Sequence, residues 1–224
     1  MRFDPRHPET EALWRAVAQA EARCVAVVSA QPGEGCTTVA ETLWRRAAQA
    51  GRSALLVDMN RDRPAASLRA IPAEEGVVQR LGNTGLGLLA EPGEAALESW
   101  RDRGQLRAAV AGWLQQWDTV VLDTAPVLAK DAQGMPGLAA AAVADAAILV
   151  VLAGRTDGAA VREAAAALAA AGARLLGTVL NDRDNPALRT EMLRETARLE
   201  RFAPGLAARL STALHRSSLL GMRV

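Results

Sequence analysis

The chain has no tyrosine, and among its 26 basic residues only Lys130 is a lysine. It has two cysteines, two histidines and two phenylalanines in 224 residues. Two unpaired cysteines supply neither a disulfide framework nor a zinc site. Read as strand start and loop, Cys24 and Cys36 stand roughly 16 Å apart, counted at ~3.3 Å per strand residue. A disulfide needs Cα atoms within ~7 Å. His7 and His215 have no partner by spacing and are expected on the surface. The net charge of +1 creates no field that would draw nucleic acid or anionic lipid. The longest apolar run, Leu138 to Ala153, is interrupted by Asp145 and falls short of the ~20 residues a membrane-spanning helix needs. Met1 to Thr10 is polar with two prolines, so no secretory leader is expected and the protein is read as cytoplasmic.

What is present is an alternation of short apolar runs with helical patterns, the mark of a parallel sheet covered by helices. Strands are expected at Cys24 to Ser29, Ser53 to Asp58, Leu86 to Ala90, Thr119 to Asp123, Ala146 to Leu152 and Arg174 to Leu180. Such continuously apolar runs suit strands buried on both faces. Helices are expected at Pro8 to Arg23, Thr37 to about Ala50, Gln105 to Trp117 and Asp157 to Ala171, with a short one at Gly76 to Leu81. Trp113 and Trp117, four apart, are expected to pack one helix onto the sheet. The segment from Pro186 to about Ser217 reads as helical, broken near Pro204 and Gly205. No repeat or linker divides the chain. It is read as one domain over residues 1–224, with an N-terminal interaction helix (1–23) and a C-terminal helical tail (185–224). The tail's arginines are read as a solvated helix face, or as a contact for the cytoplasmic end of a membrane partner.

Three strand ends carry the chemistry. Ala30 to Thr38 (AQPGEGCTT) has the form of a phosphate-binding loop, [AG]-x-x-x-x-G-K-[ST], with Cys36 where the pattern has lysine. Gly33 and Gly35 permit close backbone approach and positive φ. Backbone N–H groups of Gly33, Glu34, Gly35, Cys36, Thr37 and Thr38, with the helix start behind them, would cradle phosphates. Thr37 occupies the place of the magnesium-ligating hydroxyl. Asp58 ends LLVD and Asp123 ends VVLD. A carboxylate at the end of a buried strand beside such a loop can hold Mg²⁺ or polarise a nucleophile. The plainer reading is that strand-end aspartates cap turns. Cys36 at a helix start could be an activated thiol, or simply a small uncharged residue; the second reading is preferred.

Beyond these elements, the chain resembles the cytoplasmic kinase domain of bacterial tyrosine kinases (BY-kinases), the CpsD/CapB-like proteins of capsule and exopolysaccharide synthesis, within the MinD/ParA-like deviant-Walker P-loop group. The likeness spans Pro8 to Asn181. It rests on Pro8 to Arg15 (PETEALWR), Ser29 to Gly35 (SAQPGEG), Leu55 to Asp58 with Arg63 and Pro64, Val120 to Leu128 (VVLDTAPVL), Asp131 with Ala132, and Gly177 to Asn181 (GTVLN). The resemblance implies a three-layer α/β P-loop NTPase fold with a mostly parallel central sheet and helices on both faces. It implies ATP or ADP with Mg²⁺ as ligands, Asp58 and Asp123 as catalytic carboxylates, Thr37, Asp58 and Asp123 as metal ligands, and Asn181 against the adenine. It also implies self-association through the N-terminal helix and a Wzz-like membrane chain-length protein as partner in exopolysaccharide synthesis and export.

The departures from that pattern shape the functional expectation. Cys36 replaces the loop lysine, Asn60 the second aspartate of the Walker A′ segment, and Asp62 its arginine. Gln31 stands where the ParA-like branch has its extra lysine. Without tyrosine there is no tail to autophosphorylate. The expected role is a degenerate, regulatory or scaffolding member with weak or no nucleotide turnover. The alternatives are an active ATPase or kinase using an unusual phosphate clamp, with Arg61, Arg63 or a partner's arginine supplying the charge, and, less favoured, a ParA-like positioning ATPase.

Overall fold

The computed structural model describes residues 7–60, 76–90, 92–129 and 137–183, together with Thr196 and Gly205. Its elements run α1 (Pro8–Gln19), β1 (Cys24–Ser29), α2 (Cys36–Gln49), β2 (Ala54–Asp58), β3 (Val78–Arg80), β4 (Leu86–Leu89), α3 (Glu94–Trp100), α4 (Arg103–Gln116), β5 (Thr119–Asp123), α5 (Gly137–Val143), β6 (Ala146–Leu152), α6 (Gly158–Ala170) and β7 (Leu175–Asn181). Two compact units are distinguished. One comprises Met1–Val151 with Thr156–Leu180, the other Leu152–Arg155 with Asn181–Val224. Within the second, the Ala153 N–H donates to the Asn181 carbonyl at 2.8 Å.

The seven strands form one sheet in the order β3-β4-β2-β5-β1-β6-β7. The pairings of β4, β2, β5, β1 and β6 are parallel, and β3 is antiparallel to β4. Every residue of β1, β2, β5 and β6 is buried, which explains why these strands read as unbroken apolar runs. Alternation then sorts side chains between two layers. Val25, Val27, Leu56, Val121 and Ile148 meet α1 and α2 through Trp14, Val17, Val39, Leu43 and Trp44. Ala26, Val28, Leu55, Leu122 and Leu149 meet Leu97, Leu106, Val110, Ala140, Ala164 and Leu168 of α3 to α6. This is the expected three-layer α/β arrangement of a P-loop NTPase.

Local chemistry fixes the helix and strand ends away from the loop. The Asp145 carboxylate accepts from the N–H groups of Arg23 at 2.8 Å and Cys24 at 2.7 Å, setting the start of β1. The Arg103 guanidinium donates to the Ala142 carbonyl at 2.9 Å and the Ala171 carbonyl at 2.8 Å, covering the carbonyl ends of α5 and α6. Trp117 lies flat across β4 over Gly87. A Cβ on that glycine would stand 2.2 Å from the indole ring. Arg80 of β3 stacks on the other part of the same ring, with its guanidinium carbon 4.3 Å from the centroid.

One expectation needs correction. Gly76 to Leu81 is not a helix: Val78–Arg80 is an edge strand against β4. The apolar run from Leu138, interrupted at Asp145 in the sequence, is two elements, α5 and β6, with the strand where it is expected. Trp113 and Trp117 both pack into the layer on one face of the sheet, as expected, but in different ways. Trp117 is the residue that ends α4 and packs on the sheet, whereas Trp113 is half-buried edge-on against Trp100 at 5.3 Å. The helix α3 was not expected at all. The expected tail helix over Pro186 to Ser217 lies largely outside the described residues, as do Arg61, Arg63, Pro64, Asp131 and Ala132.

Candidate active site

The loop after β1 forms because two glycines take conformations other residues resist. Gly33 has φ of 83° and Gly35 has φ of 103°. Gly35 is the residue preceding α2, and no side chain caps that helix start among the described residues. The N–H groups of Cys36, Thr37 and Thr38 therefore point out of the first turn without intrahelical partners. They carry the positive end of a 14-residue helix.

Glu34 holds the loop's first half. Its carboxylate accepts from the Ala30 N–H at 2.8 Å and the Gln31 N–H at 3.1 Å. The Thr156 hydroxyl donates to its other oxygen in a short hydrogen bond. Ser29 adds a bond from its hydroxyl to the Gln31 carbonyl at 3.0 Å. Glu34 is 3% exposed, so these bonds replace water almost entirely. Sequence reading gave Glu34 only its place in the loop. Thr156, 122 residues away, carried no signal at all.

The two strand-end aspartates come together as the topology requires. β2 and β5 are neighbours, and their register sets Asp58 opposite Asp123. Adjacent strands lie about 4.8 Å apart. Asp58 is 4% exposed and Asp123 fully buried. Asp58 receives the Asn60 N–H at 3.1 Å, the Asx turn that the plainer reading anticipates. Asp123 is different: neither of its carboxylate oxygens has a hydrogen-bond partner among the described residues. Burial, then the charge of Asp58, push it up to about 8. The Thr37 hydroxyl and the Thr124 N–H, near the carboxylate but outside hydrogen-bond geometry, offset this only in part. Thr124 itself is committed elsewhere, donating from its hydroxyl to the Val27 carbonyl at 3.0 Å.

Cys36 is the first residue of α2 and is buried. Burial first, then the charge of Asp123, hold its thiol well above the ordinary value. Such surroundings are those of an unreactive thiol rather than an activated one. Cys24 is likewise buried and unpaired.

These residues fit a phosphate ligand and a divalent cation. An orphaned buried carboxylate, a second carboxylate beside it and a threonine hydroxyl form a hard oxygen donor set. Thr37, Asp58 and Asp123 would hold the metal, and the N–H groups from Gly33 to Thr38 the phosphates. The metal would supply Lewis-acid polarisation of a phosphoryl oxygen. The lysine that would neutralise the outer phosphates is the missing part. Asn181 ends β7 and belongs to the second compact unit, where its side-chain oxygen accepts from the Arg183 N–H at 3.1 Å.

Comparison with known proteins agrees with this geometry. The chain is 29% identical over 180 residues to the tyrosine-protein kinase YwqD of Bacillus subtilis (strain 168), covering 71% of this chain and 72% of that protein. The solved kinase domain of VpsO superposes with a TM-score of 0.66 at 27% identity, over 77% of this chain and 91% of that one. The chain is a homologue of the bacterial tyrosine kinase domains. No protein-family profile matches it. At the level of fold alone, the chain also resembles cobyrinic acid a,c-diamide synthase from Mycobacterium smegmatis, solved with ADP and magnesium. That likeness has a TM-score of 0.57 at 19% identity, over 70% of this chain and 74% of that one.

The N-terminal helix α1 is held by its own chain. Arg46 of α2 donates to both Glu11 carboxylate oxygens, at 2.5 and 2.8 Å. Its guanidinium also lies 5.8 Å from the ring of Trp14. Trp14 and Val17 are buried in the layer with α2. Among the described residues no helix is long and apolar enough to cross a membrane.

Proposed function

We propose that this chain is a degenerate relative of the bacterial tyrosine kinase domains that acts as a regulatory or scaffolding subunit in exopolysaccharide synthesis and export. It binds nucleotide weakly and turns it over slowly or not at all. The observation that carries this reading is Cys36. A buried thiol stands in place of the phosphate-clamping lysine, within reach of the charge of Asp123, which the strand register sets opposite Asp58. Phosphoryl transfer depends almost wholly on positioning and charge stabilisation. Losing one such stabiliser typically costs ~10²–10³ in rate. A charge-assisted hydrogen bond is worth about 1.5–3 kcal/mol, so binding weakens by roughly ten- to a hundredfold and is not abolished.

The partner in this reading is the cytoplasmic segment of a Wzz-like membrane chain-length protein, which recruits a cytoplasmic chain to the inner membrane. Self-association through the outer face of α1 accompanies it. The test is capture of the purified chain by that segment with and without Mg·ATP. Capture that is insensitive to nucleotide supports a scaffold; capture that needs ATP contradicts it.

A second reading, an active ATPase or kinase, draws on the pairing of Asp58 with Asp123 beside Thr37. It requires a phosphate clamp from Arg61, Arg63 or a partner. Steady ATP hydrolysis that disappears in Asp58→Ala would establish it.

A further inference from the structure

We propose that Thr156, in the segment between β6 and α6, is a positioning residue for the loop after β1 and sets that loop's ligand-free geometry through Glu34. The inference rests on the reading of the loop as a phosphate cradle and adds a residue outside it that holds it in shape. β1 lies between β5 and β6 in the sheet, so the segments that follow those two strands flank the loop. On the β5 side the hold runs through backbone groups. The Val127 N–H donates to the Ser29 carbonyl at 2.7 Å and the Leu128 N–H to the Ala30 carbonyl at 3.2 Å. On the β6 side it runs through a side chain. The register sets Val150 opposite Ser29, and beyond β6 the Thr156 hydroxyl donates to a carboxylate oxygen of Glu34.

Glu34 carries that hold into the cradle. It stands between Gly33 and Gly35, whose φ values of 83° and 103° give the loop its turn. Its Oε1 accepts from Thr156, while its Oε2 accepts from the Ala30 and Gln31 N–H groups at 2.8 and 3.1 Å. The two oxygens belong to one planar group, so fixing the first aims the second. With Glu34 only 3% exposed, water has little room to take over from the hydroxyl. Thr156 is anchored in turn. Asp157, next to it, caps α6 by accepting from the Ala159 N–H at 3.1 Å, and α6 packs into the core through Ala160, Ala164 and Leu168. The loop is thereby tied to a packed helix, the kind of support that keeps a binding geometry precise. A loop that holds its binding geometry only part of the time loses affinity by that fraction.

The test is amide hydrogen exchange at Ala30 and Gln31 in the purified, ligand-free chain, beside its Thr156→Val, Thr156→Ser and Glu34→Ala forms. Thr156→Val should speed local exchange at both amides by roughly three- to tenfold, the worth of one hydrogen bond. Thr156→Ser keeps the hydroxyl and should return both amides to the parent rate. In the Glu34→Ala background, adding Thr156→Val should change nothing further, because the two residues act as one unit. Calorimetric titration with Mg·ADP, well below the melting temperature of every variant, supplies a readout that global stability does not move. Affinity should fall by a similar factor in Thr156→Val and recover in Thr156→Ser. Unchanged exchange or unchanged affinity in Thr156→Val overturns the inference, as does a failure of Thr156→Ser to recover, or additive effects of the two substitutions. An absence of Mg·ADP binding by the parent chain contradicts the cradle reading instead, and the exchange measurements then decide for Thr156 or against it.

Discussion

Asp58 and Asp123 face each other across neighbouring parallel strands, and only Asp58 has a hydrogen-bond donor among those described for the pair. Burial first, then the charge of Asp58, raise Asp123 to about 8. A carboxyl with a folded value above its unfolded value of ~3.9 is protonated in the fold while the unfolded chain ionises. Between those two values the native state binds more protons, so its stability falls as pH rises. The slope from this group approaches about 1.4 kcal/mol per pH unit. Asp123→Asn removes it. Urea denaturation of the metal-free protein should show the variant gaining stability relative to the parent from pH 5 to pH 8. A difference that does not change over that range would contradict the assignment.

Glu34 should matter to the loop more than its exposed neighbours do. Glu34→Ala leaves the Ala30 and Gln31 N–H groups without their buried acceptor, at about 1–3 kcal/mol. Hydrogen exchange at those two amides should accelerate accordingly, whereas Gln31→Ala should leave them nearly unchanged. Equal exchange in both variants would mean that Glu34 does not hold the loop.

Gly87 is irreplaceable for packing reasons alone. Gly87→Ala drives a methyl into the Trp117 ring, from which a Cβ would be only 2.2 Å away. Overpacking of this kind typically costs about 1–3 kcal/mol. Pairing Gly87→Ala with Trp117→Leu should recover part of the loss in a double-mutant cycle. Additive losses would show that the two residues are not in contact.

Both thiols should be silent in the native state. Cys24 and Cys36 are buried, and burial raises both. Ellman's reagent should label neither until the chain unfolds, at a rate that follows denaturant concentration. Rapid labelling of one thiol in buffer would restore the reactive reading of Cys36.

The N-terminal helix calls for a gentler probe than deletion. Removing residues 1–15 takes away Trp14, which is buried against α2, and the Glu11 partner of Arg46. Such a deletion lowers stability whether or not α1 has a partner. Arg15 is exposed. Arg15→Glu should weaken self-association in light scattering while leaving the melting temperature within the error of the parent. Unchanged assembly would remove α1 from the interface.

The sequence conveyed the architecture well where burial is two-sided. Runs such as Cys24 to Ser29 and Ala146 to Leu152 have only one fate in an α/β chain, and each became a central strand. The loop, its glycines and the two strand-end aspartates were legible because their spacing to those strands is fixed by the fold. Legibility failed where tertiary context decides. Val78–Arg80 is short, and its pairing with β4 outweighs a helical pattern too brief to nucleate by itself. The bond from Thr156 to Glu34 joins residues that only the completed sheet brings together. The burial of Cys36 is likewise a property of the packed loop, because sequence position alone placed it only at a helix start.

The central claim is that the exchange of lysine for Cys36 leaves a fold without catalysis. The most direct measurement is steady-state phosphate release from Mg·ATP by the purified chain, alone and with the partner's cytoplasmic segment, with Asp58→Ala as the control. The account predicts release at the level of the Asp58→Ala protein under both conditions. Release well above that control, abolished by the substitution, would contradict it and establish the chain as a working enzyme.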